Sequence, residues 1–455
     1  KSTMNSGIQY TFSPAKVEQL ARACGFVQRT SPITGFNFLL TLTTGLLNTA
    51  DGTLAQMAAF LSSVCATEVS TQAVDGRLRV AAMAFMRCCL EEALAMAIRP
   101  RAFDRGVLAG FDHVYIIDST TFDIHPSLRD VFKGSGGSGS AASMRIQLVL
   151  DYLTGRLYVE CGDTKLCDAP TLHRLVENHA LDVSGACLFL ADLGYFKIAT
   201  FSAMSQQGLY FISKCAFKVT LHDARGLIVD LRDILMGNPE SFDVAVTMDG
   251  RPCRLVARKL PDSVVNRRLR KANKTAHDNH GRSITNDYRQ FLGYAIFLTT
   301  LPSAYDMDIL FTLYRIRWQI ELVFKTWKSI LMIHKIRSAR LERLMCEVYG
   351  KLIVAALSSV MTAAAESVSD TIIVSLHRAM KHLQTVAEQW TLAIIQGDQA
   401  LNTFVDQQTR RIARLCKKHR QNNKPTIEIL IDARSPAKPI LFVATQELTP
   451  QTSLA

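Results

Sequence analysis

The chain holds 11 cysteines but no C-x2-C pair. The closest non-adjacent two, Cys161 and Cys167, lack histidine partners at zinc-site spacing, so buried free thiols are expected rather than a metal site. Cys88 and Cys89 fall in an apolar helical run and read as core. The opening residues KSTMNSGIQY carry no apolar signal-peptide run, which predicts a cytosolic protein. The longest apolar stretch, Leu352 to Ala365, contains serines and a threonine and falls short of the ~20 residues that span a bilayer. A buried helix is expected there, with no membrane partner. No heptad run is long enough for a coiled coil. Acidic residues are the scarcer charge, 40 against 52 Lys and Arg, for a net charge of +12 and a pI near 9.2. That balance favours nucleic acid or another polyanion as partner. With 48% hydrophobic and 20% charged residues the chain reads as globular, and 455 residues imply two to four domains.

The densest signal is the segment YRIRWQIELVFKTWK, in which Tyr314, Arg317, Glu321 and Lys328 follow the pattern Y-x2-R-x3-E-x6-K. On one continuous helix, at ~100° per residue, these four fall within roughly a 60° arc. Ile316, Ile320, Val323 and Trp327 centre about 120° away, so one side can be buried while the charged stripe faces elsewhere. One acid among a phenol and two cations suits a metal-binding carboxylate flanked by phosphate contacts. Taken alone, Arg317 and Glu321 would be an ordinary i,i+4 surface pair.

The whole string resembles the signature Y-x2-R-W-x-I-E-x2-F-K-x2-K of DDE transposases in insertion-sequence family four, with Trp318, Phe324 and Lys325 also in place. The resemblance demands two upstream aspartates, each at the end of an apolar strand. The run Val114 to Ile117 ends at Asp118, followed by turn-friendly Ser119 and Thr120. The run Cys187 to Ala191 delivers Asp192 just before Gly194. Either aspartate alone would pass for a capping or turn residue; the order Asp118, Asp192, Glu321 matches the family.

What the resemblance implies is an α/β, ribonuclease H-like catalytic core of the retroviral integrase superfamily, with a β-rich insertion and helical N- and C-terminal domains. The expected activity is cut-and-paste DNA transposition: binding of element ends, metal-dependent strand cleavage and strand transfer. Phosphodiester attack of this kind uses two divalent ions roughly 3.5–4 Å apart. Hard oxygen ligands suit Mg²⁺, with Mn²⁺ as a substitute. The resemblance assigns Asp118 to both ions, Asp192 to one and Glu321 to the other. The expected partners are double-stranded DNA, as terminal repeats and target, and a second copy of the chain in a synaptic complex in the bacterial cytosol at the nucleoid. A nuclease that cuts without joining would not need the Tyr314, Arg317, Lys328 stripe. A domesticated DNA-binding protein would not need the three carboxylates.

The expected domains are helical 1–105, catalytic core 106–215, insertion 216–290, core with the signature helix 291–345, and helical 346–455. Arg77, Arg79 and Arg87 in the first carry no assigned role. The core reads strand, strand, strand, helix, strand, helix, strand, with its second and third strands joined at Thr154-Gly155; the Gly/Ser-rich segment from Lys133 is expected to be a mobile loop near the site. In the insertion, two strands around 242–248 and 253–260 precede a basic run whose Arg267, Arg268, Arg270, Lys271 and Lys274 are candidate backbone contacts. Lys325, Lys335 and Arg337, with Arg340 and Arg343, continue a basic surface, and Arg410, Arg411, Arg414, Lys417, Lys418 and Arg420 form another. Hairpin-forming relatives hold a flipped base on an insertion aromatic. The three tryptophans here, Trp318, Trp327 and Trp390, lie outside the insertion, leaving Tyr288, Phe291 or Tyr294 as the stacking candidates.

Overall fold

In the computed structural model, residues 13–49, 52–134, 140–166, 168–178, 180–281, 283–368, 372–418 and 426–433 are described. The chain divides into two units, the first from the described residues of 1–109, 114–168 and 315–433, the second from 110–113 and 169–314. Residues 135–139 of the Gly/Ser-rich segment from Lys133, and Cys167 and Arg420, lie outside the described residues.

The first unit opens with helices α1 (Pro14–Ala23), α2 (Gly35–Leu40, running into a π-turn at Thr41–Gly45), α3 (Leu54–Ser63), α4 (Thr71–Arg77) and α5 (Val80–Leu94). Their starts are written locally. Pro14 occupies the first turn, where its missing N–H costs no bond. Thr53 and Gln56 cap α3 reciprocally, and Ser70 accepts from the Ala73 N–H. Phe26, Phe38 and Phe85 form an aromatic cluster under them. Arg77 lies over the Phe26 ring at 3.9 Å and donates to the Ile33 carbonyl, so it serves packing.

Next come antiparallel strands β1 (His113–Asp123), β2 (Ser143–Asp151) and β3 (Leu157–Gly162), in the order β3-β2-β1. Here one expectation is corrected: β1 does not end at Asp118. Ser119 to Asp123 pair with Gln147 to Ser143 of β2, because Thr120, Thr121 and Phe122 suit a half-buried strand better than a turn. Asp118 is therefore mid-strand.

The second unit carries α6 (Asp168–Glu177, whose first residue Asp168 belongs to the first unit), β4 (Cys187–Ala191), α7 (Ile198–Gln206), β5 (Tyr210–Lys214), α8 (Leu231–Met236), β6 (Ser241–Met248), β7 (Arg251–Lys259), α9 (Asp262–His280), α10 (Asn286–Leu292), β8 (Tyr294–Thr299) and α11 (Met307–Arg315, whose last residue belongs to the first unit). Strand β4 is buried along its whole length and pairs parallel with β5, from Leu188↔Tyr210 to Ala191↔Ser213. Within this unit the strand order is β4-β5-β8-β7-β6, all antiparallel after β5. Asp249 and Gly250, both at positive φ, make the two-residue turn between β6 and β7. That hairpin joins the core strands through β8, and the region between β5 and β8 also holds helices α8, α9 and α10.

The chain then returns to the first unit with α12 (Trp318–Ser329), α13 (Leu341–Glu366), α14 (Leu376–Thr385), α15 (Ala387–Ile395), α16 (Asp398–Leu415) and α17 (Thr426–Asp432). The continuous signature helix expected from Tyr314 to Lys328 is a second correction. It is two helices, α11 ending at Arg315 and α12 starting at Trp318. Ile316 and Arg317 are both buried, and the bonds from Gln319 N–H to the Ile316 carbonyl and from Ile320 N–H to the Arg317 carbonyl restart the ladder with shorter i→i−3 spacing. Helix α13 is long and apolar enough to cross a membrane, but 89% of its apolar window is buried in the protein. Gly350 explains its tight seating: a Cβ there would lie 2.2 Å from the Leu42 carbonyl oxygen in the π-turn.

Candidate active site

In the first unit, Asp118 of β1 and Glu321 in the first turn of α12 converge on Arg317. The guanidinium donates from one nitrogen to Asp118 Oδ2 and from the other to Glu321 Oε1, each at 3.1 Å. The Arg317 side chain is 11% exposed and the two carboxylates 24% and 29%, so the ion triplet is mostly shielded from water. Two carboxylates this close repel unless a cation stands between them, and Arg317 is that cation. Asp118 Oδ1 accepts the Ser119 N–H at 2.8 Å, so both of its oxygens are oriented.

The rest of α12 follows its residue pattern. Ile316, Ile320, Val323 and Trp327 are all buried, as the apolar face requires. Trp318 is exposed, and the Lys325 ammonium lies 5.0 Å from its ring centroid. Lys328 is half-buried. Gln319, Lys325 and Lys328 line a cavity of about 670 Å³ that also meets Tyr152, Glu366 and Lys418. Burial pushes the Glu366 carboxyl up to about 7, against its bond from the Val374 N–H, and burial lowers the Lys418 ammonium.

In the second unit Asp192 follows β4, at the start of a 3-10 turn. Its Oδ1 pairs with Lys214 Nζ at 2.7 Å and accepts from the Tyr314 hydroxyl at 3.4 Å; that hydroxyl also reaches the Ala191 carbonyl at 3.2 Å. Tyr314 is held against Phe297, ring centroids 4.4 Å apart. Tyr314 thus belongs to the surroundings of Asp192 through α11. Lys214 was missed from the sequence, although a signal existed: β4 and β5 are equal apolar runs in parallel register, and extending Ala191↔Ser213 by one residue sets Lys214 beside Asp192.

A cavity of about 570 Å³ in this unit is lined by Leu193, Lys214, Arg268, Lys271, Tyr288, Phe291 and Tyr294, among others. Tyr288 and Phe291 stack on each other, and both meet the Phe217 ring at a tilt. Tyr294 is buried and its hydroxyl donates to the Pro239 carbonyl, which ties it to the fold. On α9, Arg267, Arg270, Lys271 and Lys274 are exposed. Arg268 differs: its guanidinium donates to the Tyr294 carbonyl at 2.8 Å and the Leu292 carbonyl at 3.5 Å, and burial, helped by Arg267, lowers its pKa.

Lys335 and Arg337 are exposed, but the basic surface does not continue through Arg340 and Arg343. Arg340 pairs with Asp75 at 2.8 Å, and Arg343 pairs with the buried Glu347 at 2.9 Å, because α13 packs against the N-terminal helices there. Arg410, Arg411, Arg414 and Lys417 are exposed, whereas Lys418 turns inward to Gln319 Oε1 at 3.0 Å.

The donor chemistry fits a hard divalent cation, since Asp118 and Glu321 present carboxylate oxygens that already share one positive charge. Among the described residues no three His, Cys, Asp or Glu side chains gather in one place, the space between Asp118 and Glu321 being held by Arg317.

The family described as Transposase DDE domain matches residues 109–357. The transposase for insertion sequence element IS231C of Bacillus thuringiensis subsp. berliner is 27% identical over 368 residues, 75% of this chain and 76% of its own length. The transposase for insertion sequence element IS1151 of Clostridium perfringens is 26% identical over 400 residues, covering 80% and 81%. A putative transposase InsL for insertion sequence element IS186A of Escherichia coli K12 is 32% identical over 110 residues, 23% of this chain and 29% of its own.

Proposed function

The chain belongs to the Transposase DDE domain family and is an insertion-sequence DNA transposase, an enzyme of DNA cleavage and strand transfer, and we propose that Asp118, Asp192 and Glu321 are its catalytic carboxylates. The observation that carries the reading is the Arg317 guanidinium shared by Asp118 and Glu321, residues 199 and 4 positions from it in sequence. Such convergence of a strand and a distant helix on one buried charge is costly unless the acids have a use, because each buried ion loses hydration. Asp192 enters the set through the Asp, Asp, Glu order of the family.

Divalent ions, Mg²⁺ or Mn²⁺ in its place, would supply activation of water or a 3′-hydroxyl and neutralise the leaving oxygen. The protein's own groups do the rest. Arg317 holds the Asp118 and Glu321 carboxylates in register. Lys214 and the Tyr314 hydroxyl orient Asp192. Exposed Trp318, Lys325, Lys335 and Arg337, half-buried Lys328, and Arg267, Arg270 and Lys271 of α9 serve as contacts for the DNA backbone of element ends and target. Tyr288 and Phe291 offer a surface on which a base can stack during second-strand processing. Two copies of the chain pair the ends in a synaptic complex for cut-and-paste movement.

Purified protein incubated with labelled element ends and Mg²⁺, with products sized on a denaturing gel, tests the reading. Asp118→Ala, Asp192→Ala and Glu321→Ala should each abolish cleavage while end binding stays near wild type, since affinity comes from basic contacts. Near wild-type cleavage by any one of them removes that residue from the catalytic set.

A further inference from the structure

Asp118 and Ser119 leave β1 on opposite faces, so what grips Ser119 acts on the catalytic strand from behind. Ser119 stands opposite Gln147 in the β1–β2 register. Its hydroxyl donates to Asp168 Oδ1 at 3.0 Å, and Gln147 Nε2 donates to the same oxygen at 2.7 Å and to the Leu166 carbonyl at 3.2 Å. Gln147 is 2% exposed, so its amide has no solvent to turn to. Arg145, one pleat along β2, donates to the Leu166 carbonyl at 3.2 Å and to the Thr121 hydroxyl at 3.3 Å, and its guanidinium lies 3.8 Å from Asp168. Three polar side chains, Ser119, Gln147 and Arg145, thus converge on one carboxylate behind the strand. Nothing in the DNA chemistry uses them directly.

The network has one route to the reaction. Ser119 carries the N–H that orients Asp118 Oδ1 at 2.8 Å, while Arg317 orients Oδ2. Fixing the Ser119 side chain fixes the direction of that N–H, and so the plane of the Asp118 carboxylate. We infer that Asp168, with Gln147 and Ser119, is a positioning residue that holds the Asp118 carboxylate for cation binding from the opposite face of β1. The inference rests on Asp118 being catalytic. Groups that orient a metal-binding carboxylate in this way are worth roughly 10–100-fold in metal affinity or activity.

The test uses the full chain and the variants Ser119→Ala, Asp168→Asn and Ser119→Thr, with Asp118→Ala alongside. Mn²⁺ binding followed by electron paramagnetic resonance supplies a readout apart from activity; cleavage of labelled ends, end-binding affinity and melting temperature are measured in parallel. Ser119→Ala and Asp168→Asn should weaken Mn²⁺ binding and slow cleavage by about tenfold or more, within the range for such groups. End affinity should be unchanged, raised Mn²⁺ should recover cleavage, and Ser119→Thr, which keeps the hydroxyl, should bind Mn²⁺ as wild type does. Wild-type Mn²⁺ affinity in both variants, while Asp118→Ala abolishes cleavage, overturns the positioning role and leaves the catalytic assignment standing. Active Asp118→Ala overturns the assignment itself. Cleavage that falls with melting temperature and is not recovered by Mn²⁺ also rejects positioning, in favour of a purely structural network.

Discussion

Arg317→Ala probes the centre of the candidate site, and the structure sets its size. The substitution removes two charge-assisted hydrogen bonds, to Asp118 and Glu321. Fully formed bonds of this type contribute about 1.5–3 kcal/mol each. The carboxylates keep 24% and 29% exposure, so solvent screens part of the effect, and a combined loss of about 2–4 kcal/mol is expected. At ~2.1 cal/mol/K of unfolding entropy per residue, a chain of 455 residues shifts by about 1 °C per kcal/mol, so the melting temperature should fall by roughly 2–4 °C. The variant also leaves two carboxylates without the charge they share. Added Mg²⁺ should therefore raise the melting temperature more in Arg317→Ala than in the wild type, because the cation binds the folded state where the guanidinium was. In cleavage assays, a side chain bonded to the carboxylates should affect first-strand nicking, second-strand cleavage and strand transfer alike. Arg317→Lys, with one point charge for two acceptors, should fall between. Melting curves with and without Mg²⁺, and time courses on intact, pre-nicked and pre-cleaved ends, measure all of this. An unchanged melting temperature, or a loss confined to the later steps, would refute the bridging role and make Arg317 a phosphate contact.

Lys328 differs from Arg317, being half-buried at the far end of α12, and Lys328→Ala should retain first-strand nicking while losing strand transfer disproportionately; equal losses on the same three substrates would reject a strand-positioning role. Neutralising Arg267, Arg270 and Lys271 together should flatten the salt dependence of DNA binding by up to ~0.9 in slope per lost phosphate contact, with parallel titration lines as the contrary result. Arg268→Ala, whose guanidinium serves the Leu292 and Tyr294 carbonyls, should instead lower the melting temperature. Glu366 is raised by burial from its ordinary 4.5 to about 7, so its contribution to stability is fully present below about pH 4.5 and is lost as pH rises through about 7. Glu366→Gln should flatten the difference between melting temperatures at pH 5 and pH 8, and an identical pH profile in the variant would show that the carboxyl is ionised throughout.

Much of this protein is written in local pattern. The all-helical start, the three-strand run from His113, the buried β4 and β5 and the hairpin at Asp249-Gly250 each follow from hydrophobic period and turn residues, which act over a few neighbours. The signature around Glu321 named the family because residue type and spacing survive in one dimension. The same local rules misjudged β1, where pairing with β2 carried the strand past Asp118, and the signature helix, which breaks at Ile316 and Arg317.

Partnership is what only the tertiary structure decided. Arg317 is a neighbour of Glu321 by helix spacing alone, but its bond to Asp118 spans 199 residues and depends on how α12 lies against β1. Lys214 meets Asp192 through strand register, and Asp168 meets Ser119 across the back of β2. Arg268, Arg340 and Arg343 read as basic surface, yet each donates to a carbonyl or carboxylate of a distant segment, Arg343 to the Gly52 carbonyl. A charged residue's role depends on whether a buried partner comes within about 3 Å of it. Composition and spacing set which groups are present, while the backbone path through the core sets which of them lose water together.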